Sequence, residues 1–316
     1  MAAMPSSAEL SQRLAAIPGP IRGALFMTGA AFGFSIMNAL VREVSSELHP
    51  FEIAFFRNVF ALLFTLPWLL RAGRAGWKTT RPGLQLLRSV LGLAAMLTWF
   101  SSLALLPLAE ATALNFTVPL FATVGAAIVL GEVVRARRWS ATAVGFLGVI
   151  VILRPGFAEL EPAMALPIVA AVFMAGSVLT VKKLSGSDSP ETVVFYMNLI
   201  LTPLSFVPAL FVWQWPSGAA LSMMVGIGLV GSLAHLLLTR AYVHGDASAI
   251  IPFDYARLPF VAAIGFLFFG EVPDIWTWVG AGAIAGSAIY IARREAQVAR
   301  HRATVASAIE TPKSLP

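Results

Sequence analysis

The stretch EATALNFTVPLFATVGAAIVLGEVVRARRW, which starts at Glu110, returns in altered form from Asp246 as DASAIIPFDYARLPFVAAIGFLFFGEVPDIWTW. Both copies open acidic-Ala-(Thr/Ser)-Ala. Both carry a proline (Pro119, Pro259) ahead of a Gly-Glu pair and a tryptophan seven residues after the glutamate. Glu132 thus matches Glu271, and Trp139 matches Trp278. A chain duplicated in this way folds as two copies of one unit. The number of segments per unit then decides whether the copies stand parallel or inverted.

Those segments are apolar. The chain is 58% hydrophobic and 12% charged, with a mean hydropathy of +0.80, whereas soluble domains carry roughly 25% charged residues. Ten apolar runs lie near 23–43, 51–70, 84–106, 108–130, 139–154, 163–183, 192–213, 219–241, 247–269 and 275–292. They approach or exceed the ~20 residues that cross a bilayer as helix and are too long for barrel strands. Each copy of the duplicated stretch closes a unit of five runs, and an odd number turns the second unit upside down.

The basic residues test this topology. With a cytoplasmic N-terminus, seventeen of the 22 lysines and arginines fall on the cytoplasmic side and two, Arg42 and Arg154, on the other, as the positive-inside rule requires. Arg57, Arg88 and Arg257 lie inside spans. The predicted fold is therefore an all-α integral membrane protein of ten transmembrane helices, built as two inverted five-helix repeats with both termini cytoplasmic. Its parts are a tail over 1–20, a repeat over 21–155, a second over 163–294 and a tail over 295–316. The pI near 10.2 reflects topology signals that face anionic lipid, so nucleic acid is not an expected partner. No cysteine and only four histidines are present, which excludes disulfides and thiol chemistry. No cofactor is expected.

The five-plus-five arrangement, the Pro…Gly-Glu signature ending each fourth span, and FFRN (Phe55 to Asn58) resemble the drug/metabolite transporter superfamily in its EamA-type branch, over about residues 21–294. That resemblance implies a carrier of the bacterial inner membrane. Members export amino acids and other metabolites, and some take up S-adenosylmethionine or riboflavin. The segment LTWFSSLALLPLAEATALNFTVPLF looks closest to S-adenosylmethionine-uptake-like and general metabolite members.

An ionised side chain near the bilayer centre costs at least ~2.5–3.5 kcal/mol on insertion scales, so it faces protein, a partner or water. Asp254 and Arg257, at i and i+3, share one helix face between Pro252 and Pro259. They read as a self-neutralised pair or as substrate contacts on an irregular backbone. The first repeat keeps Pro119 but has no such pair, which favours the substrate reading. Arg57 reads as a carboxylate-binding group or a structural arginine at a helix crossing. Asn115 precedes Pro119, which removes a backbone donor, so this turn faces substrate or is a plain kink. His235, three residues from Ser232, is a polar relay or an interhelical bond.

Among the aromatic residues, Trp99 and Tyr255 are the candidates for stacking on a flat or cationic substrate. Arg88, near the cytoplasmic end of its span, can snorkel or serve a gate. Glu110, like Asp246, complements a helix N-terminus and is the candidate for proton coupling. Glu132 and Glu271 are expected to close their own helices from the interface. Gly29/Gly33 and Gly282/Gly286 follow the small-xxx-small rule for close helix contact, internal or between subunits.

The leading expectation is a secondary transporter of a small polar or zwitterionic metabolite, an amino acid or derivative, working as monomer or homodimer with or without protons. The alternative is an uptake carrier for S-adenosylmethionine or a riboflavin-like substrate. A membrane-embedded hydrolase built on Ser232 and His235 is a remote third, because such a pair lacks an oxyanion site and a third group.

Overall fold

In hydrocarbon no water is available to backbone N–H and C=O groups, so chain that crosses it forms helices whose bonds close within the segment. The computed structural model describes residues 19–72, 79–129, 136–153, 161–184, 190–244, 253–287, 289–290, 293 and 297, and no strand occurs among them. Glu132, Asp246, Ser248, Pro252 and most of both tails lie outside the described residues. The helices are α1 (Gly19–Val44), α2 (Pro50–Ala72), α3 (Pro82–Leu105), α4 (Leu108–Asn115), α5 (Val118–Val129) and α6 (Ala136–Leu153). A 3-10 turn (Pro162–Met164) leads into α7 (Ala165–Leu184), followed by α8 (Pro190–Leu210), α9 (Gly218–His244), α10 (Arg257–Phe269) and α11 (275–287). Four stretches, Ile21–Val44, Pro82–Leu105, Pro162–Thr180 and Gly218–Leu238, are long and apolar enough to cross a membrane, and three shorter apolar helices accompany them. Large apolar side chains cover the outside, as with Phe268 at 78% and Ile128 at 76% exposed.

Packing follows the duplication. Helix α1 lies along α9 and α3 along α7; α9 also packs on α2 as α8 does on α3. Helix α10 meets α1 as α5 meets α7. Exchanging α1, α2, α3 and α4–α5 for α7, α8, α9 and α10 maps each of these pairs onto another. Two further contacts, α2 with α8 and α4 with α10, map onto themselves.

The fourth expected span is not one helix. It is α4 and α5, parted at Phe116–Thr117. Pro119 has no N–H for the Asn115 carbonyl. The chain tightens instead, with the Thr117 N–H bonding the Leu114 carbonyl at 3.2 Å and the Thr117 hydroxyl donating to the same oxygen at 2.7 Å. The ninth span breaks at the matching place. Residues 253–254 are helical, 255–256 turn, and α10 starts at Arg257. Here the Tyr255 carbonyl, denied a donor by Pro259, accepts from the Leu258 N–H at 3.1 Å. Both breaks are duplicated architecture.

Glycines set the closest crossings. A Cβ on Gly33 would lie 3.0 Å from the Ala234 Cβ, so Gly29/Gly33 pack on α9 as expected. Gly282 and Gly286 have nothing within 4 Å and face outward, so that pair makes no internal contact. The close contact of α11 is Gly280 against Gly148 of α6, where each added Cβ would strike the other's carbonyl at 2.5–2.7 Å. Where α9 crosses α2, a Cβ on Gly228 would fall 2.4 Å from the Phe60 Cβ and 3.3 Å from backbone. Gly228→Ala should therefore lower stability by about 1–3 kcal/mol, the cost of overpacking, in a detergent thermal-unfolding assay. Gly282→Ala in the same assay should leave the midpoint unchanged.

Candidate functional site

The two helix breaks touch. Phe116 of the first and Tyr255 of the second meet edge to face, ring centroids 4.7 Å apart, where α4 packs on α10. The turn at 255–256 brings Asp254 against Arg257, three residues on, and they pair at 2.5 Å with side chains 31% and 17% exposed. The self-neutralised half of the sequence reading is therefore formed. The pair is not self-contained, however. The Arg257 guanidinium lies over the Phe34 ring at 5.0 Å, and its Nε is buried without a hydrogen-bond partner among the described residues. The Ser35 hydroxyl approaches the Arg257 carbonyl at 3.5 Å, which holds α1 against the start of α10. Phe34 in turn meets the His235 ring at 4.9 Å, edge to face. Asp254, Tyr255, Arg257 and His235 thus converge around Phe34 and Phe116.

Arg57 approaches this group from α2. It is buried and donates to the Asn58 carboxamide oxygen at 2.9 Å, while Asn58 donates to the Ser205 hydroxyl of α8 at 3.1 Å. Its guanidinium reaches α9 beside Gly231, where a Cβ would lie 3.8 Å from its Nε. His235 lies one turn further along α9.

The other expected residues are engaged elsewhere or lie apart. Asn115 turns to α7, its Nδ2 3.5 Å from the Pro167 carbonyl and 3.7 Å from the Met174 sulfur. Arg88 does not snorkel outward; it donates to the Val193 carbonyl of α8 at 3.1 Å. Glu110 lies in the first turn of α4. Trp99 is buried on α3. The Ser232 hydroxyl bonds the Gly228 carbonyl at 2.7 Å, the ordinary back-bond of a helical serine.

Sequence reasoning missed the tie at the far end of the bundle. Helix α10 ends at Gly270 in the left-handed region (φ 66°), where the Glu271 N–H bonds the Gly265 carbonyl at 3.0 Å. This is a glycine-terminated helix end, and it throws Glu271 sideways. Rather than closing its own helix, Glu271 accepts from the Leu108 N–H at the start of α4, at 2.8 Å. Its other oxygen meets the Arg42 Nη2 at 2.6 Å, an ion pair without the alignment of a hydrogen bond. Arg42 adds bonds to the Leu103 and Leu106 carbonyls at the end of α3 and lies 5.4 Å over the Phe269 ring. The ends of α1, α3, α4 and α10 are thereby joined through one ion pair. The Gly-Glu spacing was the available signal, but it does not name its partner.

Arg42→Met removes the bonds to the Leu103 and Leu106 carbonyls together with the ion partner of Glu271 and should lower stability by about 1.5–3 kcal/mol, the range for hydrogen bonds to charged groups. Combining it with Glu271→Gln should cost less than the two single changes added, by about 0.5 kcal/mol or more. Additive losses in a thermal-unfolding double-mutant cycle would show that the pair is not coupled.

The EamA-like transporter family model matches residues 21–154 and again 162–293. A riboflavin transporter of Vibrio cholerae is 37% identical over 292 residues, covering 91% of this chain and 98% of its own length. An S-adenosylmethionine uptake transporter of Rickettsia prowazekii is 32% identical over 257 residues, covering 81% and 87%. A crystal structure 18% identical in sequence superposes with a TM-score of 0.59 over 86% of this chain and 98% of that one, which supports the fold alone. The chain belongs to the EamA-like transporter family, within the drug/metabolite transporter superfamily, and is a multi-pass protein of the bacterial inner membrane.

Proposed function

We propose that the chain is a secondary carrier that takes up a flat heteroaromatic metabolite of the riboflavin type by alternating access. The observation that carries this reading is the meeting of the two helix breaks at Phe116 and Tyr255, beside the Arg257–Phe34 stack. Edge-to-face rings and a guanidinium over a ring suit a planar, polar-edged cargo. They offer much less to a small amino acid. The expectation of a small polar or zwitterionic metabolite, an amino acid or derivative, accordingly gives way to its alternative, which the named relatives favour.

The second reading is S-adenosylmethionine. Asp254, 31% exposed, would meet its sulfonium, and the rickettsial relative supports it.

In this proposal the ten spans form two inverted five-helix repeats over 21–155 and 163–294, with cytoplasmic termini. Asp254, Tyr255, Arg257 and His235 line the substrate path, with Arg57 behind them. Asn115 and Trp99 border it, while Arg88 and Glu110 serve gating or proton coupling. A carrier of this kind uses binding energy differentially between inward and outward states.

The test is uptake of labelled riboflavin, S-adenosylmethionine and a mixed amino-acid set by riboflavin-auxotrophic cells that express the chain. Saturable riboflavin uptake and growth on low external riboflavin are expected. Phe34→Ala and Arg257→Gln should each reduce uptake about tenfold, equivalent to ~1.4 kcal/mol of lost contact. Amino-acid transport without riboflavin uptake would refute the reading. Wild-type uptake rates in both variants would refute the site.

A further inference from the structure

One buried polar group in α1 has no role in the contacts described so far. Asn38 is 2% exposed, and its Oδ1 has no hydrogen-bond partner among the described residues. A buried carbonyl oxygen left unpaired destabilises the fold, so Asn38 is not placed there for stability.

Its place in the helix says what that atom is for. Residues 34, 38 and 42 follow one another at one-turn spacing on a single face of α1. Phe34, one turn to one side, is the ring beneath the Arg257 guanidinium and beside His235. Arg42, one turn to the other, bonds Glu271 and the Leu103 carbonyl. Asn38 therefore stands between the aromatic site and the ion pair that joins the helix ends. On α3, which packs against α1, Trp99 is one turn from Leu103 just as Asn38 is one turn from Arg42. The two residues occupy corresponding turns of neighbouring helices.

We propose that Asn38 reads the edge of the carried molecule. Its carboxamide oxygen accepts a hydrogen bond from an N–H on the edge of the ring system, and its amide presents a donor to the acceptor next to that N–H. The inference rests on the proposed function and sharpens it. The cargo is a planar heteroaromatic whose edge sets an N–H beside a hydrogen-bond acceptor. The ring imide of riboflavin has this pattern, and so does the amino-purine edge of S-adenosylmethionine. Apolar rings alone do not discriminate such cargoes, whereas a buried amide rejects an analogue that cannot pair with it.

The experiment measures binding to the purified full chain by thermal stabilisation, using riboflavin, 3-methylriboflavin (imide N–H replaced by N–CH3) and S-adenosylmethionine. Wild type should bind riboflavin about tenfold more tightly than its 3-methyl analogue, the value of one lost hydrogen bond. Asn38→Leu should bind riboflavin about tenfold more weakly and no longer discriminate between the two flavins. Without ligand, the variant should unfold at the same or a higher temperature, because it removes an unpaired buried group. A merely structural asparagine would instead lower the unfolding temperature.

Equal wild-type affinity for the two flavins would overturn the proposal without any variant. Failure of Asn38→Leu to fold, or discrimination retained in it, would overturn it too. If S-adenosylmethionine binds wild type and riboflavin does not, the flavin reading falls. The proposal for Asn38 then stands only if Asn38→Leu loses that affinity instead. If wild type binds neither, the proposed function and this inference fall together.

Discussion

A helix interrupted inside a membrane leaves backbone carbonyls that water cannot reach, so the interruption must be enclosed by protein. This chain has two such interruptions, at Phe116–Thr117 and Tyr255–Ala256, each just before a proline that withholds a donor. The rest of the bundle arranges itself around them. Helices α1 and α7 flank the two broken helices, and the breaks face each other through Phe116 and Tyr255. Because both copies carry the proline, both provide half of the same enclosure. A polar or charged group placed at this junction meets rings and backbone in place of lipid.

The charges follow from that enclosure. Asp254 and Arg257 occur only in the second copy, and they neutralise each other while the guanidinium also covers Phe34. At the other end of α10, the Gly270 turn redirects Glu271 across the repeat boundary to Arg42 and the start of α4. The same helix therefore carries a charge cluster at its inner break and an ion pair at its far end. A rigid movement of α10 against α1 and α4 would strain both at once, a suitable arrangement for a carrier that must change which side is open.

The duplication, the paired prolines and the unequal charges of the two copies were legible in the sequence, because each is a statement about spacing or composition. Positions around the bundle were less legible. In lipid a helix can be apolar all round, so no polar face reveals which side meets a neighbour. Gly282/Gly286 and Gly29/Gly33 share one spacing, yet one pair faces outward and the other packs on α9. The contact that does draw α11 in, Gly148 with Gly280, joins glycines far apart in the chain. Asn115 stands out in the sequence through Pro119 and Arg88 through its place near the end of a span, yet they turn to α7 and α8. Asn38, an isolated asparagine in an apolar helix, gave no pattern to notice. Arg42 looked like a loop charge until its partner at Glu271 was in place.

In the proposed carrier the two helix breaks meet and the cargo binds where they do. The chain has no cysteine, so Phe116→Cys and Tyr255→Cys can be introduced together without further engineering. A short bifunctional maleimide should then cross-link the two positions in intact membranes, and saturating riboflavin should slow the reaction. A folded double variant that does not cross-link would contradict the meeting of the breaks, and a cross-linking rate indifferent to riboflavin would contradict the placement of the site.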